Sequence, residues 1–332
     1  VEFQRDDRVE RRRSRRKQIR RRRVGAAVLL AAVLAVVVST SSGIFGKEEA
    51  QSQVRTPAPK PTEISEGLGT TILPTYRVVA AFGAPNGGPR LGILGVGTPA
   101  QAASRLMTDI VPSYSGGKPV LPALELIATI AHRTPQASGT YSTRYPAEQI
   151  EGFLAAARAN KGILVLDIQP GSSPWMDEVR ALSGWLKNPD VSLALDPEWS
   201  MKPGQIPGTV IGGITASQIN EVSAYLQRIV QQEKLPQKLL IVHEFKDYQL
   251  TDQSQIVDRE GVKVVLNVDG FGTIEQKQAA YAALSAPSRG KQFPMGFKLF
   301  YEEDNDPKLG AKIMSPYDVM ALTPQPDVIV YE

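Results

Sequence analysis

The chain predicts an α/β architecture: a (β/α)8 TIM barrel that lacks a clear last helix and stands behind an N-terminal transmembrane segment. Three observations carry that expectation. From Tyr76 onward, eight short apolar runs alternate with amphipathic stretches, the pattern of strands that are each followed by a helix. The region 76–332 has the length usual for one such barrel. The stretch 83–89, GAPNGGP, holds two prolines where an open doubly wound sheet, the alternative, would carry a glycine-rich phosphate loop.

Residues 1–23 form a basic cytoplasmic tail with 12 Lys/Arg against 4 Asp/Glu. The rest of the chain carries 26 basic and 30 acidic groups, so the net charge of +4 conceals a mildly acidic body and argues against nucleic acid as a partner. Residues 24–46 read as a transmembrane anchor or signal segment. Their strictly apolar core, 24–38, is 15 residues long, and the small residues up to Gly46 extend it enough to span. The Arg cluster before it stays inside by the positive-inside rule. With no clean Ala-x-Ala site, the expectation is a single-pass protein of a bacterial cell membrane with its C-terminal domain extracellular, or a secreted one if the segment is cleaved. Residues 47–75, with Pro57, Pro59, Pro61 and Pro74, read as a semi-extended linker, part of which could cover the barrel wall where a last helix is missing.

In the barrel region the predicted strands are 77–82, 124–131, 163–168, 191–196, 239–244, 263–268, 296–301 and 328–331. Helices are predicted over 99–110, 146–160, 174–187, 215–233 and 273–285, with a short one near 252–258 and a turn near 316–321. Pro99 after Thr98 and Pro174 after Ser173 are prolines at a first helical position behind a hydroxyl cap. From Thr215, the residues Ile219, Val222, Leu226, Ile229 and Val230 fall on one helical face. A possible extra strand at 210–213 reads better as a long loop after strand 4, given Gly204, Pro207 and Gly208.

Composition narrows the chemistry. With no cysteine and only His132 and His243, thiolate catalysis and a multi-histidine metal centre are excluded, and no cofactor or metal is expected. No Gly-x-Ser-x-Gly is present, which argues against an acyl-transfer hydrolase. A barrel keeps its chemistry at the carboxyl ends of its strands, and five successive strands finish in acids. Strand 3 offers Asp167 and Gln169; strand 4, Asp196 and Glu198, with Trp199 beside them; strand 5, His243 and Glu244 facing opposite ways. Strand 6 aligns Asn267 with Asp269, and strand 7 offers Tyr301, Glu302 and Glu303. Carboxylates as close as Asp196 and Glu198 resist ionising together, which should raise one pKa toward that of a general acid. Trp175 and Trp199, each following a proline in a loop, are candidate sugar platforms, with Phe82, Phe245 and Phe271 as further wall aromatics.

Asp196-Pro197-Glu198, preceded by Leu193-Ala194-Leu195, resembles the Asp-x-Glu ending of strand 4 in family 18 chitinases and family 25 lysozymes. That resemblance implies Glu198 as proton donor and Asp196 as support for a substrate acetamido group. The chitinases carry further aspartates where 191–193 stand here, and the lysozymes an Asp on strand 1 where Ala81 and Phe82 stand. A second resemblance, to the large clan of retaining barrel glycosidases, pairs Glu198 with Glu302 as nucleophile, although Pro197 takes the place of the usual Asn. The direct route needs those carboxyls roughly 5–5.5 Å apart; the assisted route needs Asp196 beside Glu198. Together these imply an extracytoplasmic glycoside hydrolase acting as a monomer on a polysaccharide, in particular an N-acetylhexosamine-containing cell-wall glycan. Its catalytic residues would be Glu198, Asp196 and Glu302, and its substrate contacts Asp167, Gln169, Trp175, Trp199, His243, Asp269 and Tyr301. The alternative is a non-catalytic barrel that binds wall polysaccharide or a protein partner.

Overall fold

A barrel closes when every strand finds two neighbours and the last returns to the first. The computed structural model, which describes residues 62–88, 91–290 and 292–332, meets that condition. Its strands are β1 (Arg77–Gly83), β2 (Val120–Ala131), β3 (Ile163–Ile168), β4 (Val191–Leu195), β5 (Lys238–Glu244), β6 (Val262–Val268), β7 (Met295–Leu299) and β8 (Val328–Tyr331). Each pairs in parallel with the next, and β8 pairs back onto β1 with Val328 opposite Val78. The strand β2 begins at Val120, four residues before its predicted start at 124, because Pro122 obscures its opening in the sequence. A register shift between Ile127 and Thr129 lets β2 run on past the rim, where it pairs antiparallel with Ser142–Arg144.

Side chains alternate inward and outward along each strand, so the barrel interior is built in layers. The lower layers are apolar: Val78, Leu121, Ile163, Leu239 and Val328, then Ala80, Ala123, Val165, Ile241 and Val330. Above them the inward positions turn polar, with Glu125, Asp167, Asp196, His243, Asn267 and Lys298 all buried. Ile64, Ile72 and Leu73 pack against the apolar layers at the amino ends, and Gln237 Oε1 accepts hydrogen bonds from the Ile72 and Leu73 amides at 3.0 and 2.8 Å. From Thr62 onward the stretch read as linker therefore covers the barrel's floor, instead of its outer wall.

The helices are α1 (Pro99–Arg105), α2 (Ala147–Ala159), α3 (Trp175–Ala181), α4 (Ser183–Leu186), α5 (Ala216–Glu233), α6 (Ile274–Leu284) and α7 (Pro316–Met320). Thr98 with Gln101, Thr215 with Gln218 and Thr273 with Gln276 form capping boxes at α1, α5 and α6. The helix α5 buries Ile219, Val222, Leu226, Ile229 and Val230, the face its spacing predicts; each is worth about 1.5–3 kcal/mol. The stretch 174–187 departs from expectation by breaking at Leu182 into α3 and α4, and α3 is capped by Pro174 with no side-chain hydrogen bond from Ser173. Between β5 and β6 the chain makes a 3-10 turn, Gln253–Gln255, where a short helix was expected.

Among the described residues no helix is long and apolar enough to cross a membrane. That finding stands against the expected single-pass membrane protein; the segment 24–46, on which both that expectation and the secreted alternative stood, lies outside the described residues, as does the basic tail 1–23.

Candidate functional site at the barrel mouth

The apolar-to-polar change inside the barrel sets the site. Each strand delivers its last inward side chain to one level, and a pocket of about 570 Å³ opens above it. Asp196 follows the end of β4 and points inward, while Pro197–Trp199 turns as a 3-10 helix, so Glu198 reaches the same pocket from the turn. Gly212 holds that turn in place: its N–H donates to Glu198 O at 2.7 Å, and a Cβ there would overlap Ser200 O and Pro197 O. Gly296 on β7 has a comparable reason, because a Cβ would overlap the Asn267 side chain inside the barrel.

His243 lies at the centre of the polar level. Its Nδ1 and Nε2 donate to Asp269 Oδ1 and Glu125 Oε1, both at 2.9 Å. Burial works against a charged imidazole, but Asp269 and Glu125 outweigh it and hold the His243 pKa well above the usual value. Lys298 makes ion pairs with Glu332 Oε2 at 2.7 Å and Asp269 Oδ2 at 3.3 Å, and its ammonium sits 3.4 Å from the centre of the Phe82 ring. Burial again opposes its charge, and Asp269 and Glu332 raise its pKa well above normal. Burial would likewise raise Asp269, but His243 and Lys298 pull it down to about 2. These three groups are thus fixed charges.

The remaining acids behave differently. Asp167 is fully buried and neither oxygen has a hydrogen-bond partner among the described residues; burial, then the charge of Asp196, pushes its pKa well up. Asp196 accepts one long bond from Gln169 Nε2 at 3.4 Å and is raised well up by burial, then by Glu198. Glu198, whose carboxyl makes no hydrogen bond or ion pair among the described residues, is raised to about 7 by burial and then by Asp269. Burial, more than the mutual repulsion expected of Asp196 and Glu198, is the larger cause at both.

The pocket thus brings together Glu198, Asp196, Gln169, Trp199 and Asp269 from the sequence reading, with His243 and Asp167 buried at the polar level. It does not bring in Trp175, which lines a neighbouring cavity, nor Tyr301 and Glu302, which are exposed beyond the end of β7. That strand stops at Leu299, and the following turn swings Glu303, not Glu302, to the pocket wall. Glu125, Lys298 and Glu332 were missed. Glu125 and Lys298 were nonetheless visible as single charges inside apolar runs, LPALELIAT and MGFKLF, where a buried strand should carry none without a partner. Among the described residues no cluster of three or more His, Asp or Glu is arranged to hold a metal ion.

No family model and no curated protein matches the chain. Among solved structures, it is similar to the spore coat polysaccharide biosynthesis protein spsE from Bacillus subtilis, with 12% identity and a TM-score of 0.41. The match covers 77% of this chain and 59% of that protein's length. A likeness this weak carries no functional conclusion. The expected glycoside hydrolase is corrected on the geometry of the pocket itself. For direct displacement, the expected nucleophile Glu302 lies outside the pocket, and of the other carboxylates lining it Asp269 and Glu332 are tied to Lys298. For the assisted route, Asp196 is 4% exposed, which leaves a ligand acetamido group little of it to reach, and burial, then the charge of Glu198, raises its pKa well above the usual value.

Proposed function

We propose that the barrel mouth is an acid–base site for an uncharged, hydroxyl-rich small molecule, and that its reaction is a proton transfer within that molecule, as in an isomerisation or elimination. One observation carries this reading: the Glu198 carboxyl lines an aromatic-walled pocket, makes no hydrogen bond or ion pair among the described residues, and is raised to about 7. A carboxyl that titrates near neutrality is present in both forms, so it can take a proton from a carbon or hydroxyl and return it at a neighbouring atom. Lys298, charged and immobile at the pocket wall, lowers the cost of negative charge developing on a ligand oxygen.

The ligand class follows from charge. At the polar level Glu125, Asp167, Asp196, Glu198, Asp269 and Glu332 outnumber His243 and Lys298, and higher on the pocket wall Glu303 offsets Lys246, so acids are in excess. A phosphate or carboxylate would be repelled there, whereas a hydroxyl can donate to a carboxyl oxygen. Trp199, Phe245 and Phe271 give the apolar face of a sugar ring something flat to rest on.

The test is proton exchange. Neutral aldoses and ketoses, and their phosphorylated counterparts, are incubated with the protein in D2O, and deuterium at the carbon beside the carbonyl is followed by NMR. Exchange into the neutral sugars is expected, with an apparent pKa near 7. Glu198→Gln should reduce it by roughly 10²–10⁴-fold while the fold is retained. Exchange that survives in the variant, or that prefers the phosphorylated sugars, rejects the reading.

A further inference from the structure

Building on the acid–base reading of the Glu198 pocket, we infer that Lys277 and Asp304, which do not line the pocket, are its positioning residues. Their buried ion pair fixes the wall formed by Phe271, Phe300 and Lys298 opposite the reacting carboxyl. Lys277 stands on α6 and Asp304 in the 3-10 turn Glu303–Asn305 that follows β7. They meet at 2.8 Å, with Lys277 3% exposed and Asp304 0%. The Lys277 ammonium also donates to Gly270 O at 2.8 Å and to Lys298 O at 2.9 Å. Asp304 accepts the Gly272 N–H on Oδ1 at 3.1 Å and the Phe300 N–H on Oδ2 at 3.0 Å. A single pair thus holds the main chain on both sides of Phe271 and on both sides of Leu299.

That wall needs holding. Phe271 lies between two glycines of positive φ, +108° at Gly270 and +150° at Gly272, and glycines on both sides leave a residue wide backbone freedom. Its ring is 60% exposed, so burial does not fix it either. With the main chain clamped, the ring meets Phe300 edge to face, 6.0 Å between centres, and the Lys277 ammonium sits 5.0 Å from the centre of the Phe300 ring. The same bonds reach the charges that Glu198 feels. After burial, Asp269 does most to raise the Glu198 pKa and Lys298 opposes it; Asp269 immediately precedes the clamped Gly270, and Lys298 is itself clamped through its carbonyl. A main-chain shift at 269–272 or 298–300 would therefore displace both the apolar wall and the field at the reacting group. For stability alone a buried ion pair is a weak device, since apolar side chains of similar volume often do as well. Its value here is geometric: four main-chain groups are tied to one point.

The experiment reads Glu198 without requiring turnover. Its carboxyl carbon is titrated by 13C NMR in the wild type, in Asp304→Asn and in the double variant Lys277→Met/Asp304→Leu, with Glu198→Gln assigning the signal. Deuterium exchange into neutral sugars and the melting temperature are measured on the same samples. Asp304→Asn keeps one acceptor oxygen and so gives up one of the two N–H bonds along with the charge. In folded samples of both variants the Glu198 midpoint is expected to leave its value of about 7 by roughly half a pH unit or more. Exchange should fall by roughly tenfold or more, in kcat more than in KM, since misplacement by about an ångström can cost 10²-fold. A pair that is merely structural would lower the melting temperature and leave the titration and the exchange per folded molecule as in the wild type; that result overturns the inference. Unchanged titration and exchange at an unchanged melting temperature overturn it too. Should the double variant fail to fold, Asp304→Asn carries the test by itself. If the midpoint moves in the variants but no sugar exchanges even in the wild type, the positioning pair stands and the acid–base reading falls.

Discussion

At the scale of single residues, the mouth of the barrel stores opposing electrostatic effects. Raising Glu198 from 4.5 to about 7 means that its proton is held more tightly in the folded chain than in the unfolded one. Stability from this group is fully present below pH 4.5 and is lost as pH rises through 7, by about 3 kcal/mol in total. Glu198→Gln removes that dependence, so the variant should gain on the wild type between pH 5 and pH 8 in urea denaturation. A constant difference across that range would mean that Glu198 is not held protonated by its surroundings. Lys298 acts in the reverse sense, because two carboxylates depend on it. Lys298→Met should cost about 3–5 kcal/mol by leaving Glu332 without its cation and Asp269 with His243 alone at the buried level. Adding Asp269→Asn to that variant should recover part of the loss, and strict additivity of the two changes would show that the pair is not coupled.

At the scale of elements, loops decide what the barrel's regular parts leave open. Strands and helices were legible because their signals are local: short apolar runs marked β3, β4, β5 and β8, and the Thr215 cap with its five-residue stripe marked α5. Candidate acids at strand ends were legible too, since Asp167, Asp196, Glu198 and Asp269 all reached the mouth. What escaped was partnership. No spacing tells that Lys298 on β7 meets Glu332 just past β8 and Asp269 just past β6, because closure of the sheet makes them neighbours. Glu302 escaped for another reason, a strand end misjudged by two residues, which matters where side chains alternate between faces. Two glycines test the role of the loops. A methyl at Gly212 meets the carbonyls of Pro197 and Ser200, so Gly212→Ala should displace the Glu198 turn and abolish proton exchange even where the melting temperature falls only modestly. Gly184 in α4 is exposed with open space around it, so Gly184→Ala should stabilise by about 0.5–1 kcal/mol and leave exchange unchanged. Equal behaviour of the two variants would remove the special part assigned to the 197–200 turn.

At the scale of the whole molecule, the buried charges combine into one pH dependence between the acid and neutral ranges. Asp167 and Asp196 have pKa values raised well above 3.8, and each contributes stability that is present below that value and lost as pH rises toward the raised one. Glu198 adds the same sign up to about 7. His243 also agrees: its folded pKa lies well above 6.5, so its contribution is complete below 6.5 and declines above, as the unfolded chain releases a proton that the folded chain keeps. Asp269, lowered to about 2, is the counterweight, with stability present above 3.8 and lost as pH falls through 2. Over pH 5–7.5 that counterweight is constant while the other four all decline, and Lys238, lowered to about 7 by burial, opposes them only from about pH 7 upward. The protein should therefore melt on the order of 5–10 °C lower at pH 7.5 than at pH 5, as measured by calorimetry at fixed ionic strength. In the Asp167→Asn variant the slope should be shallower, because a neutral amide cannot ionise in either state. A melting temperature that rises from pH 5 to pH 7.5 would mean that the acids at the mouth are ionised and paired, and the titration near 7 assigned to Glu198 would fall with them.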